Sequence, residues 1–261
     1  MTYNAELFDR AAAQYDESPP FFRILGARLV DFANLPVASS VLDIGAGKGA
    51  VTLPALAAVG PSGTVTALEV AGQMVEFLET YSLPNLSVIH QDITKSTLPD
   101  ASVDHAVSGF TLHILSDLRG ALIQIHRILR GYGTLSWSKP GAHPEAIEWE
   151  ESYGNIFGEF SKRLKDVPSE MTDEPDYEST FRAEGFEIIE QFTVPLRIPV
   201  GGPEEYWAWT QTHGARWLTD QLNTSDADEF KSAVIESLWS SHPTHGNDIM
   251  VAPLFTKMRR I

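Results

Sequence analysis

The sequence predicts an α/β fold built on a mostly parallel sheet with helices on both faces. Three observations carry this. Short apolar and β-branched runs alternate with helical-period segments between Val41 and Ser138. Glycine- and proline-containing turns punctuate them. A chain of 261 residues, 43% of them hydrophobic, is long enough to bury a large core.

In chain order, residues 1–40 read as an N-terminal helical cap, and the α/β core runs from 41 to 140. Val41 to Ile44 is a short strand that runs into glycines, and a helix from Gly49 to Ala58, beginning near Lys48, follows with Val51, Leu53, Leu56 and Val59 as its apolar positions. Gly60-Pro61-Ser62-Gly63 stops it, and Thr64 to Val70 is the second strand. The next helix places Met74, Phe77, Leu78 and Tyr81 on one side, and Leu86–His90 and Val103–Ser108 supply two more strands. A helix between Leu115 and Leu129 leads through Gly131-Tyr132-Gly133, read as a turn, into the strand Thr134–Ser138. After Ser138 the pattern changes. A lid insertion spans 141–175, with an aromatic-rich helix in His143–Lys165, and the core resumes from 176 to 261. There a helix over Asp176–Glu184 precedes the strand Phe186–Leu196, a helical insertion occupies about 203–245, and Ile249–Met258 closes the chain as a strand.

Composition excludes several classes. Without cysteine the chain has no disulfide, thiolate nucleophile or cysteine-ligated metal. Thirty-five acidic residues against nineteen Lys plus Arg give a net charge of −16, which repels a phosphate backbone, so no nucleic-acid partner is expected. The small basic cluster Lys257, Arg259 and Arg260 reads as the solvent face of the last strand. The first residues lack the charged start and apolar run of a secretory signal, and no run is long enough to span a bilayer, so a soluble, cytoplasmic protein without membrane insertion is expected. His242 and His245, with Asp248 nearby, make a poor zinc signature, so no metal is assigned; these imidazoles reach substrate only if their loop folds over the sheet.

The strongest local signal is the loop from Asp43 to Gly49. Glycines at 45, 47 and 49 permit a tight turn and let backbone approach a ligand where a Cβ would obstruct it. The helix after it directs free N–H groups toward the same space. Glu69, at the end of the second strand, stands where a carboxylate accepts hydrogen bonds from both hydroxyls of a ribose. These facts also fit a nicotinamide dehydrogenase, because Gly45-Ala46-Gly47-Lys48-Gly49-Ala50 satisfies the loose dinucleotide pattern. Against it stand the charge of Asp43 just before the loop and the lack of an evident second nucleotide-binding half.

Four ordered stretches carry a family resemblance: Val41 to Gly49; Glu69 with His90-Gln91-Asp92-Ile93; Ser102 to His113; and Ile125 to Gly133. Together they resemble the class I S-adenosylmethionine-dependent methyltransferases, particularly the small-molecule group similar to the ubiquinone and menaquinone biosynthesis methyltransferases. The resemblance covers residues 8 to 140 well and the last two strands loosely. It implies a Rossmann-like, seven-stranded, mostly parallel sheet with an antiparallel last strand and helical lid insertions. It implies S-adenosylmethionine as cofactor, with Asp43, Gly45, Ala46 and Gly47 around its amino-acid portion and Glu69 on its ribose. Val70 and Met74 would pack on the adenine, Asp92 would receive its exocyclic amine with Ile93 alongside, and Ser108 and Gly109 would face the methionine portion. The chain departs from the family at Gly131-Tyr132-Gly133, where a proline-glycine-glycine turn is common.

The acceptor side is carried by aromatic residues. Trp149, Tyr153, Phe157 and Phe160 share one helix face, as a packing surface or as the wall of an apolar acceptor site. Phe8, Tyr15, Phe21 and Phe22 supply an amino-terminal wall, in which the Tyr15 hydroxyl is able to orient the acceptor. His113, after the fourth strand, is the leading candidate for a general base, with a structural hydrogen-bonding role as its competing reading; Glu150 and His143 are weaker acid–base candidates. The expected activity is methyl transfer to O, N or C of a small apolar or aromatic molecule. The alternatives are a NAD-dependent oxidoreductase and a cofactor-binding protein without methyl-transfer activity. The sequence assigns no oligomeric state.

Overall fold

The structure is a computed structural model that describes the chain except residues 1–4, 14, 18, 144–146, 165–174, 213–215 and 242–247, and except the side chains of 147–150, 237–241 and 249. The described residues contain strands β1 (Ser40–Ile44), β2 (Thr64–Glu69), β3 (Leu86–His90), β4 (Val103–Gly109), β5 (Leu129–Pro140), β6 (Phe186–Thr193), β7 (Leu196–Pro199), β8 (Asp248–Val251) and β9 (Pro253–Arg260). Their helices are α1 (Ala5–Ala11), α2 (Phe21–Ala33), α3 (Thr52–Val59), α4 (Gly72–Glu79), α5 (Leu118–Ile128), α6 (Ile147–Ser161), α7 (Tyr177–Ala183), α8 (Pro203–Thr210), α9 (Arg216–Thr219) and α10 (Thr224–Ser241).

Seven strands form one sheet in the order β3-β2-β1-β4-β5-β9-β6. The pairs β2–β3, β1–β2, β1–β4 and β4–β5 are parallel, whereas β9 runs antiparallel to both neighbours. The chain leaves β3 at one edge and re-enters the centre at β4, so β1 and β4 diverge in their connections and open a crevice at their carboxyl ends. On one face Leu29, Val30 and Ala33 of α2 and Ala55, Leu56 and Val59 of α3 pack against Val41, Val65 and Val107. On the other, Leu122 and Ile125 of α5 and Phe181 of α7 pack against Ala106, Leu135 and Trp137.

Several element boundaries differ from the sequence reading. The helix after the glycine loop starts at Thr52, not near Lys48, because Gly45, Gly47 and Gly49 hold φ of 69°, 54° and 90° and cannot propagate a right-handed helix. Gly131-Tyr132-Gly133 is not a turn before β5 but a bulge inside it. Val103 pairs with Leu129 and His105 with Thr134, and Tyr132 takes a φ of 63°. The run Phe186–Leu196 divides at Val194-Pro195 into β6 and β7, and the closing run divides at Ala252 into β8 and β9. β7 and β8 then pair with each other as a separate two-stranded sheet. Ile198 and Met250 of that ribbon join Phe160, Tyr206, Trp209, Leu218, Phe230 and Val234 in a second core, which binds α6, α8, α9 and α10 together as a cap. The cations of β9 are each engaged: Lys257 donates to the Ala33 carbonyl, Arg259 pairs with Glu187, and Arg260 donates to the Leu129 carbonyl.

Candidate active site

The carboxyl ends of β1, β2 and β4 border a cleft of three adjoining compartments, all of which touch Gly45. The first, about 30 Å³, lies between residues 45–48, Gly109, Phe110 and the rings of Tyr15 and Phe22. The second, about 100 Å³, is lined by Phe8, Tyr15, Glu69, Val70, Met74 and Ile114. The third, about 250 Å³, is lined by Val70, Gln91, Asp92, Ile93, Thr94 and Leu115.

The glycines shape this cleft by what they lack. A Cβ on Gly45 would collide with the Thr111 side chain, whereas a Cβ on Gly47, at a φ of 54°, would meet the Tyr15 ring at 3.8 Å, an ordinary contact. Glu69 is nearly buried and organises the loop. The Gly47 N–H donates to its Oε2 at 2.7 Å, and the Val70 and Ala71 N–H groups donate to its Oε1 at 2.8 and 2.9 Å. A carboxylate offers about four acceptor positions, so with three committed one remains, which is one fewer than the two that both ribose hydroxyls would use.

The other residues assigned to the cofactor divide into those that line the cleft and those that stand behind it. Ala46 and Gly109 line the first compartment, Val70 the second and third, and Met74 the second, where it packs with Ala12, Ala71, Phe8 and Tyr15. Asp92 and Ile93 line the third; Asp92 also caps the turn after β3, accepting from the Thr94 N–H and hydroxyl at 2.9 Å each. Asp43 and Ser108, in contrast, are fully buried and line no compartment. The Ser108 hydroxyl donates to the Ile44 carbonyl at 3.1 Å, tying β4 to β1. The Thr52 hydroxyl donates to Asp43 Oδ2 at 2.5 Å, while Oδ1 has no partner among the described residues. Burial, reinforced by the Glu69 charge and opposed by Thr52, pushes the Asp43 carboxyl up to about 7.

On the acceptor side, Tyr15 stacks on Phe22 with centroids 4.9 Å apart and planes 1° apart, and both rings line the first compartment. Burial, with the Asp16 and Glu69 carboxylates nearby, drives the Tyr15 hydroxyl far above its usual range, so it serves as a donor and not as a base. His113 is not among the lining residues, although Thr111 and Ile114 on either side of it are. Its ring meets Phe110 edge-on at 5.9 Å, and its buried Nδ1 has no partner among the described residues. Burial, aided by the charge of Lys139, pulls its imidazolium down to about 4. Tyr153 joins the cap core, 6.2 Å from Phe157, and lines no cleft compartment. Phe157 and Phe160 pack on Trp217 and Phe230, the packing role of that stripe. The side chains of Trp149 and Glu150, and His242 and His245 altogether, lie outside the described residues. Among the described residues no three His, Asp or Glu side chains converge as metal ligands, and no helix is long and apolar enough to cross a membrane.

Sequence reasoning assigned no role to Phe110, Thr111 and Leu115, which border two compartments each. The available signal was position: they follow β4 at the carboxyl edge, where ligands collect in such sheets. Phe110 adds a φ of 53°, unusual for a bulky residue and not legible from its identity.

Residues 42–136 match the model of a family described as a methyltransferase domain. The nocamycin O-methyltransferase of Saccharothrix syringae is 32% identical over 148 residues, covering 55% of this chain and 53% of that one. The aklanonic acid methyltransferase DauC of Streptomyces sp. is 31% identical over 140 residues, covering 52% of this chain and 64% of that one. The chain thus spans about half to two thirds of the length of these relatives. A solved structure described as a candidate methyltransferase of Bacillus halodurans superposes with a TM-score of 0.59 at 15% identity, over 90% of this chain and 97% of the other, a likeness of fold. The match to the methyltransferase-domain model falls on residues 42–136, the segment that brings the glycine loop, Glu69 and Asp92 along one cleft.

Proposed function

We propose that this protein binds S-adenosylmethionine along the cleft and transfers its methyl group to a small, apolar or aromatic acceptor. The observation that carries the reading is the Glu69 carboxylate, fixed by three backbone N–H groups between the glycine loop and the second compartment with one acceptor position left. The residues fit the cofactor. The backbone of Gly45 and Gly47, lining the cleft, suits the amino-acid portion, Glu69 the ribose, and the largest of the three compartments, between Val70, Ile93, Leu115 and Asp92, a flat base with one exocyclic donor. The cofactor supplies a methyl group on a positively charged sulfur, which a nucleophilic atom displaces directly. The protein's share is positioning and exclusion of water. The Tyr15, Phe22 and Phe110 rings enclose the first compartment beside the loop; at about 30 Å³ it must widen to admit an apolar acceptor, to which the Tyr15 hydroxyl would donate. His113, neutral at physiological pH, serves as base for an acceptor that must lose a proton only once the Phe110 ring, edge-on to it, moves aside. The relatives support a small-molecule acceptor by their names, nocamycin and aklanonic acid.

Calorimetric titration tests the cofactor: saturable binding of NAD without binding of S-adenosylmethionine would sink the proposal in favour of the oxidoreductase. Isotopically labelled methyl, followed into a pool of small aromatic metabolites by mass spectrometry, tests transfer. Glu69→Ala is expected to weaken S-adenosylmethionine binding about 10- to 100-fold, the weight of a charge-assisted hydrogen bond. Undiminished affinity would remove Glu69 from the pocket.

A further inference from the structure

Lys48 lies in the glycine loop but contributes nothing that the loop's turn requires, since its glycine neighbours carry the left-handed angles. Its side chain is nonetheless only 11% exposed and is held in two directions, with its backbone carbonyl held in a third. Its ammonium sits 2.9 Å from the Glu17 carboxylate and 4.8 Å from the Phe77 ring centroid, and its own carbonyl accepts from the Tyr81 hydroxyl at 3.0 Å. Phe77 lies on α4 and Tyr81 just after it. Glu17 belongs to the strap formed by α1 and the turn leading to α2, whose Ala5, Phe8 and Tyr15 line the cleft from the side opposite the sheet. The strap is fastened elsewhere too. Asp9 accepts from the Gln73 N–H at 2.9 Å, Arg10 meets Asp220 of the cap at 3.2 Å, and Asp16 accepts from the Phe22 and Arg23 N–H groups at 2.7 and 2.9 Å. The Asp16 contacts fix the end of the strap to the first turn of α2. Those of Asp9, Arg10 and Glu17 join the strap to α4, to the residue after α9 and to the glycine loop.

We propose that Lys48 is a positioning residue that latches this strap over the cleft, so that breaking the Lys48–Glu17 pair governs how fast the cofactor is exchanged. The inference rests on the cofactor reading above. The pair joins the loop that would hold the cofactor's amino-acid end to the strap that covers it, and Phe77 pre-sets the lysine for that contact. Glu17 is largely exposed, so the pair is a weak, reversible latch and not a permanent staple.

The test uses the full chain with S-adenosylhomocysteine as probe, and has two arms. Stopped-flow displacement is expected to show the dissociation rate rising about three- to tenfold in both Lys48→Met and Glu17→Gln, no further in the double variant, and staying near wild type in Lys48→Arg. Without any cofactor, hydrogen exchange at the Gln73 amide, bonded to the strap through Asp9, is expected to accelerate by a similar factor in the same two variants. Unchanged exchange and unchanged dissociation in Lys48→Met overturn the proposal. So does an effect of Lys48→Met that Glu17→Gln does not share, because Lys48 would then act on the loop alone. If wild-type protein fails to bind the probe while the exchange arm responds, the latch stands and the cofactor reading falls.

Discussion

Asp43 shows how one buried acid ties the site to stability. It lies behind the glycine loop with one oxygen bonded to Thr52 and the other unpartnered among the described residues, and burial raises it to about 7. An acid whose folded pKa lies above its unfolded value holds an extra proton in the folded state between the two, so this group's contribution to stability falls as pH rises toward 7 and levels off above. Asp43→Asn, which keeps the acceptor for Thr52, is therefore expected to flatten the decline in Tm between pH 5 and 8, measured by scanning fluorimetry. An unchanged slope would mean that Asp43 is ionised throughout. His113 has the opposite sign: a cation held at about 4 is neutral above that value. If it accepts the acceptor's proton, kcat is expected to rise through about pH 4 and stay flat from 5.5 to 8, and His113→Asn to lose turnover while keeping cofactor affinity. An inflection near 6.5 that His113→Asn abolishes would show an imidazole more hydrated than the structure makes it. The identities of both residues were legible in the sequence because the motif names them. Their roles were not, since whether a side chain faces the cleft or the core depends on which strand lies beside it.

At the scale of elements, the glycine loop is legible because three glycines in five residues have few other uses, whereas the partner that holds it is not. Gly26 sits in the middle of α2, where glycine weakens a helix by roughly 1 kcal/mol relative to alanine. The structure supplies the reason: a Cβ there would collide with the Ala50 carbonyl, so only glycine lets α2 pack against the last turn of the loop. Gly26→Ala is expected to cost about 1–3 kcal/mol of stability despite its better helix propensity, and to weaken cofactor binding together with it. Denaturant melts and calorimetry on one preparation check both, and a stabilised variant would show that α2 shifts freely. The same limit explains the divided strands. An apolar run such as Phe186 to Leu196 reads continuously at a period of two, and nothing local reports that its partner changes from β9 to β8 at Val194-Pro195. The bulge at Tyr132 was hidden for a related reason, because a glycine-rich stretch at a strand end reads as a turn until its pairing with β4 is seen.

For the whole molecule, alternation of strands and helices sufficed to predict the parallel sheet, since each crossover must bury a helix face on the strands it joins. The cap core could not be placed this way, because α6, α8 and α10 meet one another directly from positions far apart in sequence, Phe157 and Trp207 both packing on Phe230, and no local pattern reports such contacts. Net charge acts on both parts together. At −16 the folded chain repels itself over distances that the screening length reaches at low salt, roughly 30 Å at 0.01 M against 3 Å at 1 M. The described ion pairs are mostly solvent-exposed, such as Arg182–Glu178 and Arg259–Glu187, and each such pair contributes no more than about 1 kcal/mol that salt also weakens. Net repulsion outweighs these local gains, so Tm is expected to rise by several degrees between 0.01 and 0.5 M NaCl. A falling Tm would show that the local pairs dominate. The same field opposes a polyanion, because the cations of β9 are committed to Ala33, Glu187 and Leu129 and form no receptive patch. Duplex DNA is accordingly expected not to retard the protein in a gel even at 0.05 M salt, where an electrostatic binder holds most tightly. A shifted band there would locate a cationic surface that the described residues do not supply.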